Sequence, residues 1–146
     1  MRRIPRLIYA VLAAAVLAAC SGSVLGGQAS CSGSVALITQ VSGECERTIE
    51  TLEEAEAQHI AVQSADVAPF ATVDFVVRVS EGTVQVTFTD SRGNEQTVEA
   101  TPGNPATGSV RVQLDVFNRI NFELAPVDGP ASGVEYYLEF VCDCMP

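Results

Sequence analysis

From residue 70 onward, apolar and polar side chains alternate with a period of two. Ala71, Val73, Phe75, Val77 and Val79 alternate with Thr72, Asp74 and Arg78, and only Val76 breaks the pattern. Val84, Val86 and Phe88 alternate with Thr83, Gln85, Thr87 and Thr89. Successive side chains of a strand point to opposite faces, so each run predicts a strand with one face in a core. Glu81-Gly82 lies between the two runs and predicts a hairpin. Asp90-Ser91-Arg92-Gly93-Asn94 is a turn cluster, residues 96–100 read as a short strand, and the Pro- and Gly-rich residues 101–108 read as a loop.

Val110, Val112, Leu114 and Val116 alternate with Arg111, Gln113 and Asp115, while Ile120, Phe122 and Leu124 alternate with Asn121 and Glu123. Asn118-Arg119 is the expected hairpin point, although the unbroken parity also fits one long bent strand. Residues 126–133 read as a further loop. Val134, Tyr136, Leu138, Phe140 and Cys142 form the last inward row, with Glu135, Glu139 and Asp143 outward. Short strands between Gly/Pro-rich turns predict an all-β fold, an antiparallel β-sandwich of jelly-roll or immunoglobulin-like type over residues 35–146.

Residues 44–63 support two readings. Thr51-x-x-Glu54 matches a capping box, and residues 52–58 have high helix propensity. At period two the same stretch makes two strands, 45–52 and 57–63, around a Glu53-Glu54 turn. The alternation of Ile60 and Val62 with His59 and Ala61 favours strands.

The N-terminus follows a different pattern. Arg2, Arg3 and Arg6 precede thirteen uncharged residues, 7–19, a secretory signal too short for a hydrocarbon core that needs about 20. The run ends in Leu17-Ala18-Ala19-Cys20, which resembles the lipobox of bacterial lipoproteins. The resemblance implies cleavage before Cys20, a thioether-linked lipid on its sulfur and acylation of the new amine. Residues 1–19 are then a signal peptide, and the expected location is the cell membrane or outer membrane, facing an extracytoplasmic compartment. Ser21, rather than Asp, resembles the pattern sent to the outer membrane in a double-membrane cell. Two or three acyl chains make a stable anchor. Residues 20–34 are the lipidated Cys and a tether; nine of the fourteen residues 21–34 are Gly or Ser, a flexible-coil composition with a reach of about 20 Å.

Cleavage changes the charge arithmetic. The whole chain of 146 residues has 8 basic residues, all Arg, against 18 acidic ones, for −10. Without the three leader arginines the mature 127 residues carry −13. Nucleic acid is excluded as a partner, because its affinity comes from clustered cations. The partners that remain are a membrane, through the anchor, and an unidentified envelope protein or glycan.

Four cysteines stay in the mature domain, Cys31, Cys45, Cys142 and Cys144, an even number that suits disulfides in an exported chain. Cys142 and Cys144 on one extended strand would hold their Cα atoms about 6.6 Å apart, at the edge of disulfide range. The expected pairing therefore joins Cys31 and Cys45 each to one of them, clasping the two ends of the domain. Neither pair has the Cys-x2–4-Cys spacing of a zinc site, and a redox pair would want a cation to lower a thiol pKa.

Candidate chemistry is sparse. His59 is the only histidine, and no nucleophile elbow, zinc helix or phosphate loop is present, so the expectation is a protein that is not an enzyme and holds no cofactor beyond the lipid on Cys20. Glu53 and Glu54 read as a solvated face. Asp90, Asn94 and Glu95 are a calcium candidate, because hard cations want clustered oxygens, but Arg92 stands where a second acid would be wanted. A glycan platform would draw on Tyr137, Phe70 or Phe117, since the chain has no Trp. Residues 73–140 loosely resemble the β-sandwich modules of secreted bacterial proteins such as pre-peptidase C-terminal domains. Gly82-Thr83-Val84-x-Val86, Asp90-x-x-Gly93 and Gly133-x-x-Tyr136-x-Leu138 carry the likeness. The resemblance implies a fold class. The expected function is a membrane-anchored, noncatalytic binding or envelope-structural domain, with a calcium- or carbohydrate-binding accessory module of a secreted enzyme system as the alternative. A binding module should expose an apolar patch on a sheet or loop end.

Overall fold

The computed structural model describes residues 30–35 and 41–144, so the leader, Cys20 and residues 21–29 of the tether lie outside the described residues. Every regular element among the described residues is a strand: β1 Ser30–Val35, β2 Val41–Leu52, β3 Glu56–Ala61, β4 Phe70–Arg78, β5 Glu81–Thr89, β6 Glu95–Ala100, β7 Ala106–Gln113 and β8 Arg119–Cys142. All pairings between them are antiparallel.

The 24-residue β8 organises the molecule. Its C-terminal half lies between β2 and β4, with Cys45 and Phe75 on either side of Leu138. Its N-terminal half lies between β3 and β5, with Gln58 and Phe88 on either side of Phe122. One sheet is thus β1-β2-β8-β4-β7 and the other β3-β8-β5-β6, and β8 belongs to both. This connectivity is a jelly roll rather than an immunoglobulin-like sandwich. The change of sheet uses surplus chain on β8. Leu52 pairs with Ala131 and Glu56 with Leu124, so residues 53–55 stand opposite residues 125–130. Strands that switch sheets commonly do so by such bends.

The inward rows are buried as the alternation predicts: Val73, Val77, Val84, Val86, Leu124, Val134 and Leu138 are fully buried. Phe75, Phe88, Phe122 and Tyr136 form a chain of ring contacts at 4.9, 5.4 and 5.4 Å that links the two sheets. Each such pair adds about 0.5–1.5 kcal/mol beyond its buried area. Gly43 lies directly under Phe140, where an added Cβ would come within 2.6 Å of the ring.

Several expectations are corrected. Residues 44–63 form strands as favoured, but β2 and β3 flank β8 in different sheets and do not pair with each other. The same holds for β4 and β5, so no hairpin forms at Glu81-Gly82. Residues 126–133 belong to β8, because their Pro and Gly mark a sheet corner rather than a loop. The chain does turn before Arg119, yet β7 pairs only with β4, so that turn crosses between sheets. The expected tether to Ser34 ends earlier: Ser30–Val35 pairs with β2 in spite of its Ser/Gly composition.

The disulfides are Cys31–Cys45 and Cys142–Cys144, not an end-to-end clasp. Cys31 stands directly opposite Cys45 in the β1–β2 register. β8 ends at Cys142, so the chain leaves the extended conformation and brings the Cα atoms of Cys142 and Cys144 to 5.3 Å, inside disulfide range.

Candidate functional site: the loop end of the sandwich

Loops 62–69, 90–94 and 114–118 meet at one end of the sandwich, joined by side-chain amides. Asn118 adopts φ 55°, a left-handed conformation that Asn tolerates better than most residues. From there its Nδ2 donates to the carbonyls of Ser64 and Asp66 at 3.1 and 3.0 Å, and its Oδ1 accepts from the Ala68 amide at 3.3 Å. Gln113 connects the other pair of loops. Its Nε2 donates to the Ala68 carbonyl at 3.1 Å, while its Oε1 accepts from Ser91 Oγ and Arg92 Nε at 2.9 and 3.0 Å.

Two aspartates fold the loops locally. Asp115 Oδ1 accepts the amides of Phe117 and Arg119, and its Oδ2 accepts Arg119 Nε at 2.8 Å and Asn121 Nδ2 at 3.1 Å. Burial opposes the charged form of Asp115, but these donors together hold its carboxyl below the ordinary value. Asp90 is held low chiefly by the side chain of Asn94.

What this framework presents is apolar. Val67, Val116 and Phe117 are 82%, 73% and 71% exposed. The residues on both sides of Val67 are bonded by Asn118, and Val116 and Phe117 immediately precede that asparagine, so the three form one tip. Cations stand beside aromatic rings here: the Arg119 guanidinium is 4.8 Å from the Phe117 centroid, and those of Arg111 and Arg92 are 4.7 and 5.4 Å from Phe70.

The outer face of the first sheet has a different character. Glu44, Glu139 and Asp74 lie side by side across β2, β8 and β4. A shallow groove of about 480 Å³ runs over this carboxylate row. Tyr137 OH donates to Glu44 Oε2 at 2.8 Å, and this bond is the main reason its hydroxyl pKa is pushed up to about 12. Inside the sandwich, buried Arg47 bonds Gln58 Oε1 at 2.8 Å and pairs with Glu56 at 3.2 Å. Tyr136 points into the same interior, and burial raises its pKa.

The calcium candidate resolves into a turn. Both oxygens of Asp90 accept hydrogen bonds, from the Arg92 and Asn94 amides and from Asn94 Nδ2 at 2.8 Å, so a donor faces the carboxylate where a cation would sit. Glu95 is exposed at the start of β6, and among the described residues no three His, Cys, Asp or Glu side chains, the Glu44–Glu139–Asp74 row included, are placed to hold one metal ion together. His59 is exposed on β3 opposite Asn121, and Glu53 and Glu54 are exposed beside the sheet crossing. Phe117 is exposed as its break in the alternation suggests, and Phe70 is half-buried. Val116 contradicts its expected inward place. Val67, Gln113 and Asn118 carry no motif, and an asparagine after Asp-Val-Phe is the only local hint of a left-handed turn.

No protein-family model matches this chain, and no curated protein matches it. Among solved structures it is similar to Bacillus endospore appendages, a family of disulfide-linked pili, at 15% identity and TM-score 0.49, covering 76% of this chain and 96% of that one. It is also similar to Bacillus subtilis oxalate decarboxylase, at 14% identity and TM-score 0.36 over 85% of this chain and 27% of that one. A third likeness is to TmCBM61, solved with beta-1,4-galactotriose, at 17% identity and TM-score 0.30 over 79% and 68% of the two chains. At these values the neighbours lend this chain no function.

Proposed function

We propose that this chain is a lipoprotein, anchored through Cys20 in the cell membrane or outer membrane, whose jelly-roll domain is a noncatalytic binding module outside the cytoplasm. The single observation that carries the binding reading is the Val67, Val116 and Phe117 tip, exposed on loops that Asn118 and Gln113 hold in place. Isolated apolar side chains on a surface are ordinary, whereas adjacent ones on an ordered loop end mark an interaction site. Covering one Val or Phe side chain contributes about 1.5–3 kcal/mol, so the three together offset much of the roughly 4–15 kcal/mol that association costs. A purely structural lipoprotein has no use for such a tip.

Two experiments test the reading. Fatty-acid analogue labelling should mark the wild-type protein and spare a Cys20→Ala protein; label on the latter would sink the anchor. A photo-cross-linker at position 117 should give adducts in cells that the same group at position 54 does not. Equal adducts, or none, would remove the tip as a binding surface.

A further inference from the structure

We propose that the loop end docks on the lipid surface that holds the acyl chains of Cys20, so that the domain stands tip-down on its own membrane. This rests on the lipoprotein and binding readings above and names the partner of the same tip. The partition of charge is the first argument. Residues 62–70, 90–95, 111–119 and 142–144 reach this end and hold Asp66, Asp90, Glu95, Asp115 and Asp143 against Arg92, Arg111 and Arg119, a net charge of −2. The rest of the mature chain carries −11 with only two arginines. A domain with this distribution, tethered to an anionic bilayer, turns its acidic bulk outward and its less acidic, arginine-bearing end inward.

The tip also has the chemistry of a bilayer interface. Val67, Val116 and Phe117 can enter the boundary between headgroups and acyl chains, while the Arg119 guanidinium, over the Phe117 ring and ion-paired with Asp115, forms a polar collar level with the headgroups.

The third argument is length. β1 runs toward the loop end, since Val35 pairs with Val41, Val41 with Cys142, and Cys142 with Ala71, the residue after Phe70. Ser30 lies five residues, about 17 Å, behind Val35 along that direction. The ten peptide steps from Cys20 to Ser30 span at most about 35 Å. The lipidated residue can therefore lie in the plane of the tip.

The chain has no tryptophan, which gives a direct test. Full-length lipidated Phe117→Trp, Val116→Trp and Glu54→Trp proteins are reconstituted in vesicles of phosphatidylethanolamine and phosphatidylglycerol, with and without brominated acyl chains. Flotation with the vesicles establishes the anchor beforehand. Bromination should cut the emission of the Phe117→Trp and Val116→Trp proteins about two-fold, as insertion of several ångströms requires, and leave the Glu54→Trp protein unchanged. Emission unaffected by bromine at both tip positions would overturn membrane docking. In that case a protein or glycan adduct from position 117 would keep the binding reading alive, and the absence of any adduct would end both.

Discussion

The two ends of the sandwich are held together by different means. At the crossing end, three neighbouring chain segments change sheets together, and backbone groups set the geometry. The Ser80 amide bonds the carbonyls of Ser132 and Gly133 at 3.1 and 3.2 Å. Gly82, at φ 82°, passes so close to Pro130 and Ala131 that an added Cβ would lie 3.0 Å from their backbone. The ion pair of buried Arg47 with half-buried Glu56 links β2 to β3 on the inner side of this corner. At the loop end, two amide side chains tie three loops onto strands that are already paired. Damage at the crossing should spread through both sheets, whereas damage at the loops should stay local, which is why the loop end can carry exposed apolar side chains at little cost to the fold.

The largest test of that difference is Glu56→Ala. It removes the carboxylate 3.2 Å from the Arg47 guanidinium, 1% exposed, and should cost about 3 kcal/mol in unfolding free energy. Gly82→Ala should cost about 2 kcal/mol, since the left-handed conformation and the close backbone both oppose a side chain. Asn118→Ala should cost about 1 kcal/mol and speed amide hydrogen exchange at residues 64–68 and 117–119, leaving β8 protected. A midpoint loss equal to that of Gly82→Ala, with exchange spread into β8, would erase the contrast between the ends.

The smallest effect is a pH dependence confined to the loops. The native pKa of Asp115 is lowered, so its stabilising contribution is complete above the ordinary value of 3.8 and disappears as pH falls below it through the native value. The Phe117 and Arg119 amides, both bonded to Asp115 Oδ1, should shift together in an NMR titration over that range. Resonances of the crossing end moving with them would contradict local control.

Much of the fold was legible because burial follows parity. The rows led by Val73, Val84, Ile120 and Val134 all face the core where the alternation put them. Parity says nothing about partners, so β4 and β5 looked like a hairpin although each pairs with a different half of β8. The Pro and Gly of residues 126–133 signal a change of direction equally well for a loop or a sheet corner. The disulfides followed β1, whose Ser/Gly composition concealed a strand. At the tip, Phe117 stood out by breaking the alternation, while Val116 continued the parity of Leu114 and looked buried. Val67 becomes meaningful only beside Asn118, fifty-one residues away in the chain and joined to its neighbours by hydrogen bonds.

The dual membership of β8 sets an order of events. β2, β3, β4 and β5 all wait for a partner, residues 119–142, that follows every one of them along the chain. A chain that emerges N-terminus first cannot close either sheet until residues 119–142 are out, and its apolar strand edges stay open until then. The protein should therefore depend on its final segment for any folded state at all. Loss of the C-terminal residues through Phe122 would remove the common seam of both sheets rather than shorten one of them.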